Sequence, residues 1–214
     1  MRVLITGANR GIGSALHDGY AARGDNVTGT TRGDTSDGLV KLDVSDAASV
    51  SAMADQLAGQ PLDLLVCNAG VYLDKGHDIG AGYGAEVWAT SFATNVTGVF
   101  LTIEALLPNL KAAGGKVAIV SSQMGSSERA GGNAFIYRAS KAAALNLGRN
   151  LAIELAPEIA VGIYHPGWVQ IEMGGSAAPI SVHDSAAGLI QRFDTLDAKT
   201  AGCFEMWNGE AMPY

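Results

Sequence analysis

Charge is what this chain has least of. Charged residues make up 16% of its 214, against about 25% in an ordinary soluble domain, so much of the chain must end in a core or an interface. The 14 Lys and Arg are outnumbered by 21 Asp and Glu, giving a formal charge of −7. Without a basic cluster, that balance excludes the electrostatic footprint of a nucleic-acid or anionic-membrane binder. Any phosphate must be met locally, by backbone N–H groups and one or two Arg. Cysteine is nearly absent: Cys67 and Cys203 stand alone in apolar runs, without metal-ligand spacing. They read as small core residues of a reducing compartment, not as a disulfide framework. No apolar run approaches the about 20 residues that cross a bilayer. Met1-Arg2-Val3-Leu4-Ile5 enters a strand directly, with no signal peptide. The expectation is a soluble, cytoplasmic protein without nucleic-acid or membrane partners. Linkers, internal repeats and low-complexity tracts are also missing, so residues 1–214 are expected to form one domain.

What is there is alternation. Short apolar runs at 3–5, 26–31, 39–42, 62–67, 116–120, 160–164 and 202–207 suit strands buried on both faces. Helical patterns separate them at 14–23, 45–57, 86–107, 137–156 and 185–196. The alternation predicts an α/β fold: one doubly wound Rossmann domain, a parallel seven-stranded sheet with helices on both faces.

Several polar residues fall where such sheets bind ligands, at the carboxyl ends of strands. After the first strand comes Gly7-Ala8-Asn9-Arg10-Gly11-Ile12-Gly13. A glycine turn between strand and helix brings backbone N–H groups and a helix N-terminus onto a pyrophosphate, and a Cβ there would block the approach. The second strand ends in Thr30-Thr31-Arg32, where a free ribose 2′-hydroxyl calls for an acid. Arg32, helped by Arg10, instead suits a 2′-phosphate. NADP(H) is therefore preferred as cofactor, with NAD(H) the alternative. Asp34 and Asp37 lie nearby but are set aside. Asp43, followed by Val44, can accept from an adenine amino group. Asn68-Ala69-Gly70 closes the fourth strand, where an Asn side chain ties backbone groups together. Asn95 falls inside the predicted 86–107 helix, a place Asn does not favour; it is either exposed or buried with a bound water. Ser121-Ser122 ends the fifth strand. Tyr137 and Lys141 are four apart and share a helical face. A neighbouring ammonium lowers a phenol's pKa from about 10, so the pair can move a proton. His165, beside a Pro turn, is given no role.

Taken together, Thr6–Gly13, Asp43, Asn68–Gly70, Asn95, Ser121-Ser122, Tyr137-Arg138-Ala139-Ser140-Lys141 and Pro166-Gly167 resemble the short-chain dehydrogenase/reductase family along the whole chain. Met124-Gly125-Ser126, Trp168-Val169 and Met173-Gly174-Gly175 look most like its C-factor-like and sniffer-type carbonyl reductase branch. The resemblance implies an enzyme that reversibly reduces a small ketone or aldehyde to an alcohol. Tyr137 would be the general acid, and Lys141 would lower its pKa and hold the nicotinamide ribose. Ser122, preferred over Ser121, would polarise the carbonyl, and Asn95 would hold a relay water. Gly7, Asn9, Arg10, Gly11, Ile12 and Gly13 would carry the pyrophosphate, and Arg32 the 2′-phosphate. Asp43 and Val44 would meet the adenine. Asn68, Ala69, Gly70, Pro166, Gly167 and Val169 would line the remaining cofactor path, with no metal involved. Ser122 precedes Tyr137 by fifteen positions, more than the family usually has, and the 125–133 segment is expected to loop out the excess. Ile171 stands where the family has a Thr that anchors the nicotinamide, so looser anchoring is expected. A short cover after Val169 implies an open, tolerant pocket. The 86–107 and 137–156 helices imply a homodimer or homotetramer. A second function stays open: a cofactor-binding signalling protein of the C-factor type with little turnover.

Overall fold

The computed structural model describes every residue except Asp34, Ser36, Asp37 and Ala81. The two aspartates set aside above thus lie outside the described residues. Seven strands form one parallel sheet: β1 (Arg2–Ile5), β2 (Asn26–Thr31), β3 (Val40–Lys41), β4 (Leu64–Cys67), β5 (Lys116–Val120), β6 (Ala160–His165) and β7 (Phe204–Met206). Their order across the sheet is β3-β2-β1-β4-β5-β6-β7. The predicted doubly wound fold is what the chain adopts.

Alternation along the strands sorts side chains onto two faces. Leu4, Leu65, Cys67, Val117, Ile119 and Val161 point one way. There they pack against α2 (Ala47–Gln56), α4 (Gly98–Ala105), α5 (Leu107–Ala113) and α6 (Phe135–Glu154). Val3, Ile5, Leu64, Val66, Ala118 and Val120 point the other way, onto Leu16 and Tyr20 of α1 (Gly11–Ala22) and Leu189 and Phe193 of α7 (Val182–Thr195). Because both faces are covered, the strands read as near-continuous apolar runs.

The largest departure from expectation lies in one helix. The single helix over 86–107 is broken into α3 (Ala85–Phe92), a π-helical turn at Ala93–Thr97, and α4. The wider turn holds Asn95, whose amide bonds to groups outside the helix instead of competing with the helix's own backbone. Helix α7 begins earlier than 185, because the Ser181 hydroxyl accepts from the Asp184 N–H at 3.1 Å and caps it.

The strand order reverses between β1 and β4, and ligands of such sheets bind outside the carboxyl ends at that point. The two ends are laced together. The Thr6 hydroxyl accepts from the N–H groups of Asn68 and Ala69, each at 3.0 Å. The Asn68 amide donates to the carbonyls of Thr6 and Gly7 at 2.9 and 3.1 Å. The tying role read for Asn68 is thus what its side chain performs.

Candidate active site

The glycine loop leads straight into α1. Gly7 and Gly11 take φ of 67° and 59°, which only glycine adopts without strain. Among the described residues, nothing accepts from the backbone N–H groups of Asn9, Arg10, Gly11, Ile12 and Gly13. A row of open donors at the N-terminus of a twelve-residue helix is a cradle for a pyrophosphate. Gly7 is braced from the side, its N–H reaching the Thr30 hydroxyl at 3.4 Å. The Arg32 turn at the end of β2 is pinned by Lys41, whose Nζ donates to the Arg32 carbonyl at 2.6 Å. Arg32 is exposed there. Asp43 accepts from the N–H and hydroxyl of Ser45 at 3.0 and 2.6 Å. Burial alone would raise its carboxyl, but the Ser45 bonds outweigh that and, with Arg32 and Lys41, keep it below the usual range.

The short cover after Val169 folds down onto this cradle. Arg10 pairs with Glu172, Ile171 packs over Gly11, and Lys75 donates to the Met173 carbonyl at 3.0 Å. The Arg10 and Glu172 side chains are 72% and 78% exposed. Such a pair contributes under about 1 kcal/mol, so it does not withhold Arg10 from a phosphate. Sequence reasoning had not anticipated Glu172; an acid 162 positions away carries no local signal.

Further along the sheet, β5 delivers Ser121 and Ser122, and α6 delivers Tyr137 and Lys141. The choice between the serines is physical. Ser121 is turned inward, its hydroxyl donating to the Lys141 carbonyl at 3.2 Å. Ser122 faces Tyr137. Its oxygen accepts from the Met124 N–H at 3.1 Å, leaving its own O–H available for another acceptor. The expected loop over 125–133 is present between the short 3₁₀ turn Gln123–Gly125 and α6. Asn95 and Lys141 converge beside Gly70, where an added Cβ would lie 3.2 Å from Asn95 Oδ1 and 3.4 Å from Lys141 Nζ.

One expectation needs correction. Lys141 does not acidify Tyr137 in this arrangement. Its Nζ donates to the Val120 carbonyl at 3.0 Å and sits 5.8 Å from the centre of the Tyr137 ring. Burial dominates both groups. It pushes Tyr137 up to about 12, against a smaller opposing pull from Ser122, and pushes Lys141 down to about 8. The Asn95 side chain is engaged by protein groups. Its oxygen accepts from the Val71 N–H at 2.8 Å, and its amide donates to the Val71 carbonyl and Ser140 hydroxyl, both at 2.9 Å. Asn95 is buried, but protein groups take its bonds.

Burial also lowers His165 to about 4, helped by Arg129, so it stays neutral at ordinary pH. Pro166, Gly167 and Val169 follow β6 in the same crevice-side turn, where Ser185 donates to the Pro166 carbonyl at 2.7 Å.

The Lys141 shift has a measurable consequence. Below about pH 8 the ammonium is charged in folded and unfolded chains alike, and its burial is fully unfavourable. Between about 8 and its ordinary 10.5 only the unfolded chain keeps the proton, so stability rises with pH. Relative to Lys141→Met, the native chain is expected to gain about 1 kcal/mol from pH 7 to 9. Urea unfolding of both proteins at the two pH values checks this; a difference that stays constant would refute the shift.

The family model described as short chain dehydrogenase matches residues 1–179. The chain belongs to that family. It is 34% identical over 169 residues to the C-signal of Myxococcus xanthus, covering 76% of this chain and 99% of that protein. The carbonyl reductase Sniffer of D. melanogaster superposes with a TM-score of 0.93 at 25% identity, covering 100% of this chain and 99% of the other. An NADPH-bound carbonyl reductase from chicken fatty liver gives 0.89 at 28% identity, covering 100% and 98%. The likeness to the C-signal and to the sniffer-type carbonyl reductases is the one its motifs had suggested.

Proposed function

We propose that this short-chain dehydrogenase is an NADP(H)-preferring carbonyl reductase that converts a small ketone or aldehyde to its alcohol. The observation that carries the reading is the meeting of Ser122, Tyr137 and Lys141 beside a glycine loop with open N–H donors. The cradle at Asn9–Gly13 fits a dinucleotide pyrophosphate. Arg32, with Arg10 released from Glu172, fits a 2′-phosphate. The unused acceptor capacity of Asp43, beside Val44, fits an adenine amino group. When bound, the nicotinamide supplies the hydride.

The protein's part is orientation and the proton. Ser122, its oxygen already accepting from Met124, turns its O–H toward the substrate oxygen and holds it near Tyr137. Tyr137, raised by burial, is fully protonated at neutral pH and so ready to donate as the carbonyl oxygen gains charge. Lys141 has further N–H donors beyond the one used on Val120, available for ribose hydroxyls and for restoring charge balance once Tyr137 has given its proton. Trp88, Phe100 and Ile153 remain exposed on α3, α4 and α6, which supports a two-fold homodimer through those helices. The 34% identity to C-signal favours one competing reading, a signalling protein with little turnover.

A screen of NADPH and NADH oxidation over a panel of ketones and aldehydes tests the proposal directly. Turnover with NADPH is expected; no oxidation of either cofactor with any carbonyl would reject it. Cofactor choice is tested separately. Arg32→Ala is expected to weaken NADPH binding about ten- to a hundredfold, the loss of one charge-assisted bond of about 1.5–3 kcal/mol. NADH binding should not change. Calorimetric titration of both dinucleotides decides it, and equal weakening of the two would remove the role given to Arg32.

A further inference from the structure

The segment between Gly70 and α3 has no assigned function, yet it wraps the start of the helix that bears Tyr137. Helix α6 cannot cap itself. Ala134 precedes it with φ of 50° and has no polar side chain to offer the first N–H groups. The cap comes from 62 residues away: buried Asp74 accepts from the Ile136 N–H at 2.8 Å and from the Tyr137 N–H at 3.2 Å. Two residues earlier, the Tyr72 ring stacks on the Tyr137 ring, centroids 4.3 Å apart and planes within 22°. Tyr83 meets Phe135 edge-on at 5.5 Å. The segment is itself fixed, because both backbone groups of Val71 bond to the Asn95 side chain.

We infer that Val71–Asp74 is a positioning collar: Asn95 anchors it, Asp74 holds the Tyr137 backbone, and Tyr72 holds the Tyr137 ring at the angle that aims its hydroxyl beside Ser122. Asp74 and Tyr72 act through Tyr137 and touch no reacting atom. A ring free to swing about its Cα–Cβ bond would seldom present its proton to a bound carbonyl, and a misplacement of about 1 Å costs about a hundredfold in rate. Two restraints from one short segment, one on the main chain and one on the ring, remove that freedom. The same arrangement gives Asn95 a use that requires no water. The inference rests on Tyr137 being the proton donor, so its test needs one reading with turnover and one without.

The test uses the full chain with Tyr72→Ala, Tyr72→Phe, Asp74→Ala and Asp74→Asn. Turnover of a carbonyl with NADPH and NADPH affinity are measured, along with amide hydrogen exchange without added cofactor. Asp74→Ala should speed exchange of the Ile136 and Tyr137 amides about tenfold or more, leaving amides 145–151 unchanged. Its turnover should fall about ten- to a hundredfold at unaltered NADPH affinity. Asp74→Asn keeps one acceptor oxygen and should lose less of both. Tyr72→Ala should lose turnover similarly, and Tyr72→Phe, which keeps the ring, should recover most of it. Native turnover in either alanine variant would overturn the inference, as would Tyr72→Phe falling as far as Tyr72→Ala. Faster exchange along the whole of α6 would mean a general structural role and would overturn it too. If the native chain turns over no carbonyl, the reductase reading fails by itself. The collar is then decided by exchange at Ile136 and Tyr137, and unchanged exchange in Asp74→Ala overturns it.

Discussion

Tyr137→Phe is expected to lower carbonyl turnover about a hundred- to ten-thousandfold, the range a positioned general acid contributes. The substitution removes one oxygen and keeps the ring, so the stack with Tyr72 and the backbone bonds to Asp74 survive. Fold and cofactor cradle should be untouched: the melting temperature should stay within about 2 °C, and NADPH affinity within about twofold. Of Ser122, His165 and Lys141, none is suited to take over the proton. Ser122, with a hydroxyl far weaker as an acid, can only polarise, His165 is neutral and buried, and Lys141 points at the Val120 carbonyl. Steady-state rates together with a dinucleotide titration give the result. Unchanged turnover would end the mechanism proposed for Tyr137. If the native protein has no turnover while a biological activity persists unaltered in Tyr137→Phe, the signalling reading takes its place.

The second large effect is expected at Gly13, through packing rather than chemistry. A Cβ on Gly13 would lie 2.1 Å from the Gly7 carbonyl oxygen and 2.5 Å from the Asn68 amide nitrogen. Those two atoms are hydrogen-bonded to each other at 3.1 Å and lace β1 to β4. Neither is the loose end of a flexible chain, so the glycine loop or the first turn of α1 must move. Gly13→Ala should therefore cost about 3 kcal/mol, from overpacking plus a weakened hydrogen bond. For a chain of this size that is a fall in melting temperature of about 6–12 °C. Because the displaced groups are the cradle itself, dinucleotide affinity should drop at least about tenfold. Gly11 provides the contrast. Its φ of 59° makes Ala strained, but the added Cβ would meet only Ile171 at 3.5 Å, so the cost there is about 1–2 kcal/mol. Thermal melts of the two variants separate steric from conformational cost; a Gly13→Ala protein as stable as the Gly11→Ala protein would contradict the close packing.

The legible parts of the site were those whose chemistry is local in sequence. A glycine turn between a strand and a helix advertises itself, and so does a Tyr with a Lys four residues on. Strand ends were legible because apolar runs stop abruptly at Thr6, Asn68 and Ser121. What stayed hidden depends on contacts between distant segments. Asp74 looks like any loop aspartate until the fold brings it to an α6 terminus that lacks a cap of its own. Glu172 likewise has no meaning before it meets Arg10. The direction of the Tyr137 shift was misread for the same reason: spacing shows that an ammonium is near but not that both groups are buried, and burial outweighs the neighbour.

The order of apolar runs and breaks was enough to determine the class of fold, and motifs a few residues long carried the resemblance to the short-chain dehydrogenases, because each is local in sequence. Only the tertiary structure decided which serine faces the phenol, that the Asn95 side chain binds the Val71 backbone, and which groups hold the Tyr137 main chain and ring. Those depend on desolvation and on bonds across 24 to 62 residues, and neither quantity exists until the chain has closed on itself.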